Sequence, residues 1–172
     1  MKRIAITALV AVGLTASIAT FASAQGSGPQ DQVYGSGIGT PGGTGVITFA
    51  ADSEPNGASP GGHVIRLKPN NHYRRGRVVC LNVSGNVAAL VYQVRRADPQ
   101  HSDLEGKYQK IFVRDNGPGT GDEWRALGLR STRPACTLTL PPPNGWKGFT
   151  GDITVVDENG SSPPPGGGGG ST

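Results

Sequence analysis

The chain of 172 residues carries 28 glycines and 14 prolines, is 35% hydrophobic and 16% charged, and has a formal charge of +4. Lys2 and Arg3 belong to the leader described next, and without them fourteen basic residues face twelve acidic ones. That near balance gives no reason to expect nucleic-acid binding, which shows as a clustered basic face on a strongly basic domain.

Residues 1–24 read as a cleaved signal peptide. Lys2 and Arg3 form a positive start, Ile4 to Phe21 is almost wholly apolar or small, and Ala22-Ser23-Ala24 completes a small-x-small cleavage pattern before Gln25. No cysteine stands at the new N-terminus to take a lipid, and no later apolar stretch is long enough to cross a bilayer. The expected product is secreted, with no membrane attachment after cleavage. Residues 25–44 are expected to form a flexible N-terminal segment, since glycine, serine and proline dominate and only Val33, Tyr34 and Ile38 look able to pack. Within it, Gly35-Ser36-Gly37-Ile38-Gly39 has the look of a phosphate-binding loop but lacks the flanking strand and helix that would make it one.

From 45 to 157 the pattern predicts one all-β domain, an antiparallel sandwich or small barrel of about eight short strands. Apolar runs rich in Val, Ile and Leu are separated by Gly, Pro, Asn and Asp clusters, and helical spacing is almost absent. The predicted strands are Gly45 to Ala50, His63 to Lys68, Arg77 to Ser84, Asn86 to Arg95, Tyr108 to Arg114, Glu123 to Arg130, Cys136 to Leu140 and Gly151 to Val156. Ile65 and Leu67 alternate with Arg66 and Lys68, as a half-exposed strand should. Val78 to Val83 and Val87 to Val91 are apolar on both faces, which places them at the centre, and Ser84-Gly85-Asn86 between them is short enough for a tight hairpin. Such a length closes one core and no more. Residues 158–172, rich in proline and glycine, are expected to be a disordered tail.

The two cysteines, Cys80 and Cys136, most simply form one intramolecular bridge in an exported chain, and neither lies in a C-x-x-C motif. Two buried free thiols or a redox site is the alternative, for which there is no thiolate-stabilising context. With Cys80 on a central strand, the bridge is expected to be buried and to reach a later strand.

Three places invite chemistry. Asp115-Asn116-Gly117-Pro118-Gly119-Thr120-Gly121-Asp122-Glu123 offers three acidic groups, and Asp115, Asp122 and Glu123 are weak candidates for a calcium site or a paired-carboxylate hydrolase. Glycine stands where the twelve-residue calcium loop needs side-chain ligands, so a hairpin connection whose carboxylates bind backbone amides is favoured. His63, His72 and His101 lie in no catalytic or zinc-binding motif and are expected to be solvated, so neither a nucleophile with its base nor a metal site is expected from them. Tyr73, Arg74, Arg75 and Arg77, read as one basic loop, are weak candidates for contact with an acidic glycan or phosphate. No pattern points to a cofactor, and no catalytic residue is assigned.

Three stretches together resemble the post-COAP domain family of secreted, glycine-rich bacterial β domains. They are Val79-Cys80-Leu81-Asn82-Val83-Ser84-Gly85-Asn86-Val87-Ala88, then Val113-Arg114-Asp115-Asn116-Gly117-Pro118-Gly119-Thr120-Gly121-Asp122, then Gly151-Asp152-Ile153-Thr154-Val155-Val156. The resemblance implies an extracellular β domain and brings no catalytic or ligand set with it. Asp98 to Lys107 is longer and more charged than that family's pattern. The expected function is therefore a non-catalytic secreted module binding an envelope polymer, carbohydrate or protein; a structural or adhesion component is the alternative, and a small secreted hydrolase ranks last. Tyr73, Trp124 and Trp146 gathered on one face would favour glycan stacking, and their burial would count against it.

Overall fold

The computed structural model describes residues 30–39, 45–54, 57–68, 72–118, 120–139 and 145–158; the predicted leader and nearly all of the predicted tail lie outside them. Eight strands make up most of the regular structure there: β1 Asp31–Gly39, β2 Val46–Ser53, β3 Gly61–Leu67, β4 Tyr73–Ser84, β5 Val87–Ala97, β6 Tyr108–Arg114, β7 Asp122–Ala126 and β8 Lys147–Val156. A short 3-10 helix, Pro99–Leu104, joins β5 to β6. Each strand pairs antiparallel with the next, and β8 pairs antiparallel with β1, closing an eight-stranded meander barrel. Of the two predicted architectures, the barrel is the one formed. Strands β4 and β5 meet at the two-residue turn Gly85-Asn86, with Gly85 at φ +58°, as the hairpin reading expected.

Strand β1 corrects the expectation of a flexible segment over 25–44. Alternation points Gly35, Gly37 and Gly39 into the barrel, where three aromatic rings of other strands fill the space that side chains would take. A Cβ on Gly35 would stand 2.8 Å from Phe49, one on Gly37 would stand 2.7 Å from Phe149, and one on Gly39 would overlap the Trp124 ring. Those rings pack in sequence, Phe49 to Phe149 and Phe149 to Trp124, with centroids 6.4 Å apart in each case. The glycines are thus strand positions that give room to the core, and burial of the aromatics offsets their poor strand propensity.

The runs without alternation are walls buried on both sides. Ala88, Leu90 and Tyr92 of β5 face the barrel core with Val78, Leu81, Ile111 and Val113, while Ala89, Val91 and Phe112 are buried on the outer face. Residues 127–139 cover that outer face. The Cys80–Cys136 disulfide, Cα to Cα 6.0 Å, anchors the cover to β4. Lys110 Nζ donates to the carbonyls of Ala135 and Thr137, Asn82 Nδ2 to that of Cys136, and Arg133 Nη2 to that of Val79. The bridge pairs the expected cysteines, but it is buried only at Cys80, and its second end is not a strand: Cys136 to Thr139 have no regular structure, and Leu140, the last residue of the predicted strand, lies outside the described residues. A closed barrel leaves no free edge for another strand, so this apolar stretch packs as a strap.

A meander places alternate connections at opposite ends of the barrel. One end gathers Arg66, Lys68, Arg74, Arg75, Arg95 and Arg96, and the other Asp31, Asp52, Glu54, Asp115, Asp122 and Asp157. The small net charge conceals a basic end and an acidic one.

Candidate functional site at the basic end

Arg66 and Arg74 are register partners on neighbouring strands, β3 and β4. Like charges directly opposed on paired strands repel. Both side chains lie on the core side: Arg74 is 8% exposed, and the Arg66 guanidinium stands 5.4 Å from the centroid of the buried Trp124 ring. Among the described residues neither is within ion-pair distance of a carboxylate. Arg74 is positioned by Gln109 of β6, whose Oε1 accepts from Arg74 Nη2 and from the Tyr92 hydroxyl, each at 2.7 Å, and whose Nε2 donates to the Leu127 carbonyl. Burial raises the Tyr92 phenol above its ordinary value despite Arg74 and Arg66 nearby, which keeps it the donor in that bond.

What this network does not use is the Nε–H of each guanidinium. Arg66 Nε and Arg74 Nε are buried and without hydrogen-bond partners. Burial, and then the charge of Arg74, pulls Arg66 below its usual value; burial followed by Arg66 and Arg74 does the same to Lys68. All three cations line a pocket of about 60 Å³ with His72, Tyr73, Asp98, His101 and Leu104. Such a volume admits a carboxylate, phosphate or sulfate group but falls well short of the roughly 300 Å³ or more usual for a whole small-molecule ligand.

The pocket's rim brings His72 of the β3–β4 connection to His101 of the 3-10 helix, with ring centroids 4.4 Å apart at 81°. Between them stands Asp98, with Oδ1 3.0 Å from His101 Nδ1 and Oδ2 3.7 Å from His72 Nδ1. Asp98 also caps the helix, accepting from the Gln100 amide, and its own amide donates to the Tyr73 carbonyl. The His101 hydrogen bond, chiefly, holds the Asp98 carboxyl below its usual value. His63, on β3, takes no part.

The sequence-based candidates separate accordingly. Tyr73, Arg74, Arg75 and Arg77 are not one loop but the start of β4, and alternation divides them: Arg74 is buried while Arg75 and Arg77 are exposed. Of the four, Tyr73 and Arg74 line the pocket. His72 and His101 are partly solvated, as expected, but they are also neighbours, because the β3–β4 and β5–β6 connections leave the same end of the barrel. The acidic loop serves the fold: Asp115 accepts from the amides of Gly117 and Val155, Asp122 from those of Asn116 and Ile153, and Glu123 pairs with Arg114 at 2.7 Å. These carboxylates are committed to backbone and guanidinium donors, as the hairpin reading expected. The aromatic platform does not form either, since Trp124 is buried in the core and Trp146 lies under Arg114, whose guanidinium is 4.2 Å from the ring centroid, and does not line the pocket with Tyr73.

Arg66 escaped the sequence reading because it appeared only as the polar half of an alternating strand. A short closed barrel has polar residues on the lumen side of its rim, and that parity was the signal available. No family model, curated protein or solved structure matches the chain, so the likeness to post-COAP domains rests on its motifs alone.

Proposed function

We propose that this is an exported binding barrel, without catalysis of its own, that captures an anionic group of an extracellular polymer or acidic glycan at its basic end. The observation that carries the reading is the pair of inward-facing arginines, half-buried Arg66 and buried Arg74, opposed in register, with no acidic partner among the described residues and with buried Nε donors unspent. A buried cation is costly unless paired, and a guanidinium binds carboxylate, phosphate or sulfate through directed, charge-assisted hydrogen bonds. The leader over 1–24 and the disulfide support action outside the cell. No helix among the described residues is long and apolar enough to cross a membrane. A hydrolase at Asp115, Asp122 and Glu123 finds no support, because those groups are already held by protein donors.

The test is titration of sulfate, phosphate and acetate against a chloride reference at fixed ionic strength with EDTA present, read by calorimetry and thermal unfolding. Anion binding to the native state alone at a hundred times Kd adds about 2.7 kcal/mol of stability. Arg66→Met, in which an apolar side chain replaces a half-buried, unpaired charge, should fold and lose at least tenfold in anion affinity. Arg77→Gln, on the outer face, should bind as the parent does. No response beyond chloride, or an undiminished response in Arg66→Met, would overturn the proposal.

A further inference from the structure

The anion reading leaves the rim trio, His72, Asp98 and His101, without a role. We infer that these three residues form a binding site for a borderline divalent transition-metal ion, with Zn2+ as its reference occupant. Each offers one donor, two imidazole nitrogens and one carboxylate oxygen, and the three donors lie within 4.8 Å of one another. A tetrahedral ion about 2.1 Å from each ligand spaces its donors about 3.4 Å apart. His101 Nδ1 stands 3.0 Å from Asp98 Oδ1 and His72 Nδ1 3.7 Å from Oδ2, so closure on one carboxylate oxygen asks for a turn of the carboxylate or of the His72 ring.

Preorganisation supports the assignment. The donors come from two connections tied together by backbone bonds: Asp98 N–H to the Tyr73 carbonyl, Lys68 N–H to the His72 carbonyl, and His101 N–H to the Asp98 carbonyl, each at 2.9 Å. His101 departs from helical backbone, with φ −125° and ψ 28° inside the 3-10 segment, and its Nδ1 faces the Asp98 carboxylate. Both rings are 34–40% exposed and open to an arriving ion. Nitrogen-rich sets of this kind select Zn2+, Co2+, Ni2+ or Cu2+ over Mg2+ and Ca2+.

The cations beside the trio define the site rather than forbid it. Asp98 cancels one of the ion's two charges, and three protein ligands leave a fourth position open. That position belongs to a pocket whose other walls are Arg66, Lys68 and Arg74, so an anion there would balance metal and guanidinium together. The metal site does not depend on the anion proposal and is measured without added oxyanions.

The experiment uses untagged, disulfide-intact protein, stripped with EDTA and dialysed into chloride buffer. Co2+ is titrated and followed by visible absorption, then displaced with Zn2+, and stoichiometry is read by calorimetry. One ion per chain is expected, with millimolar Mg2+ or Ca2+ failing to displace it. His72→Ala and His101→Ala should each lower Zn2+ affinity at least tenfold while keeping the parent's far-ultraviolet dichroism and thermal unfolding midpoint in metal-free buffer. His63→Ala should bind as the parent does. No Zn2+ uptake at 100 micromolar, or uptake unchanged in both rim variants, would overturn the inference; loss of anion response with Zn2+ binding intact would count against the anion proposal alone.

Discussion

Gln109 is the best place to test whether the polar cluster inside the barrel is read correctly. Its amide joins three partners: the buried Arg74 Nη2 and Tyr92 hydroxyl on Oε1, and the part-buried Leu127 carbonyl on Nε2. Gln109→Leu removes all three bonds at nearly constant volume and leaves a fully buried hydroxyl and a guanidinium N–H without acceptors. At about 1–3 kcal/mol for each buried group left unpaired, and more for the charged one, the loss comes to about 3–6 kcal/mol. Tyr92→Phe is the contrast, since it removes a single bond and leaves Gln109 Oε1 still bound by Arg74, at about 0.5–1.5 kcal/mol. Urea unfolding followed by the fluorescence of Trp124 and Trp146 gives both values, compared at equal slope. If Gln109→Leu lay within 1 kcal/mol of the parent, or cost no more than Tyr92→Phe, the claim that this amide holds Arg74 in place would be refuted.

Three other outcomes follow from the fold. Replacing both Cys80 and Cys136 by alanine should cost about 4 kcal/mol in the chain-entropy account, given their separation of 56 residues. Thiol titration of the denatured parent should find no free thiol, and two would contradict the bridge. Gly39→Ala drives a methyl into the buried Trp124 ring and should lose about 1–3 kcal/mol or more, whereas Gly128→Ala, with nothing within 4 Å, should change thermal stability little; equal effects would remove the packing account of β1. Burial lifts the Asp31 carboxyl above its ordinary value, the Glu158 amide opposing and the Asp157 and Glu158 charges adding to the rise. A folded value above the unfolded one means that the native state holds its proton more tightly, so Asp31 costs stability as pH rises from about 3.9 through that higher value. Asp31→Asn should therefore be more stable than the parent at pH 7 and lose the advantage by about pH 3.5, and a melting-temperature difference that is flat across this range would argue against it.

Much of the wall of the barrel was legible because its signals are local. Tyr108–Arg114 forms over its predicted span, and the β4–β5 hairpin follows from two apolar runs around a short glycine turn. The hairpin role of the acidic loop could likewise be read from turn chemistry, since Asp115 and Asp122 bind amides in or next to their own loop. Misreadings arose where the answer depended on distant residues. Gly35, Gly37 and Gly39 look like a flexible tract until Phe49, Phe149 and Trp124 are known to fill the space above them. Leu138 shows strand alternation, yet the closed barrel has no edge to receive its segment.

The same division separates the class of the protein from its site. Export pattern, β composition and cysteine pairing are properties of neighbouring residues or of simple counts, and the sequence was enough to raise each of them. The basic end is different. Arg66 meets Arg74 through a strand register, Arg74 meets Gln109 across 35 residues, and His72 meets His101 because two connections leave the barrel on the same side. Closure of β8 onto β1 decides which face of each strand looks inward, and only then do scattered cations and imidazoles become one pocket.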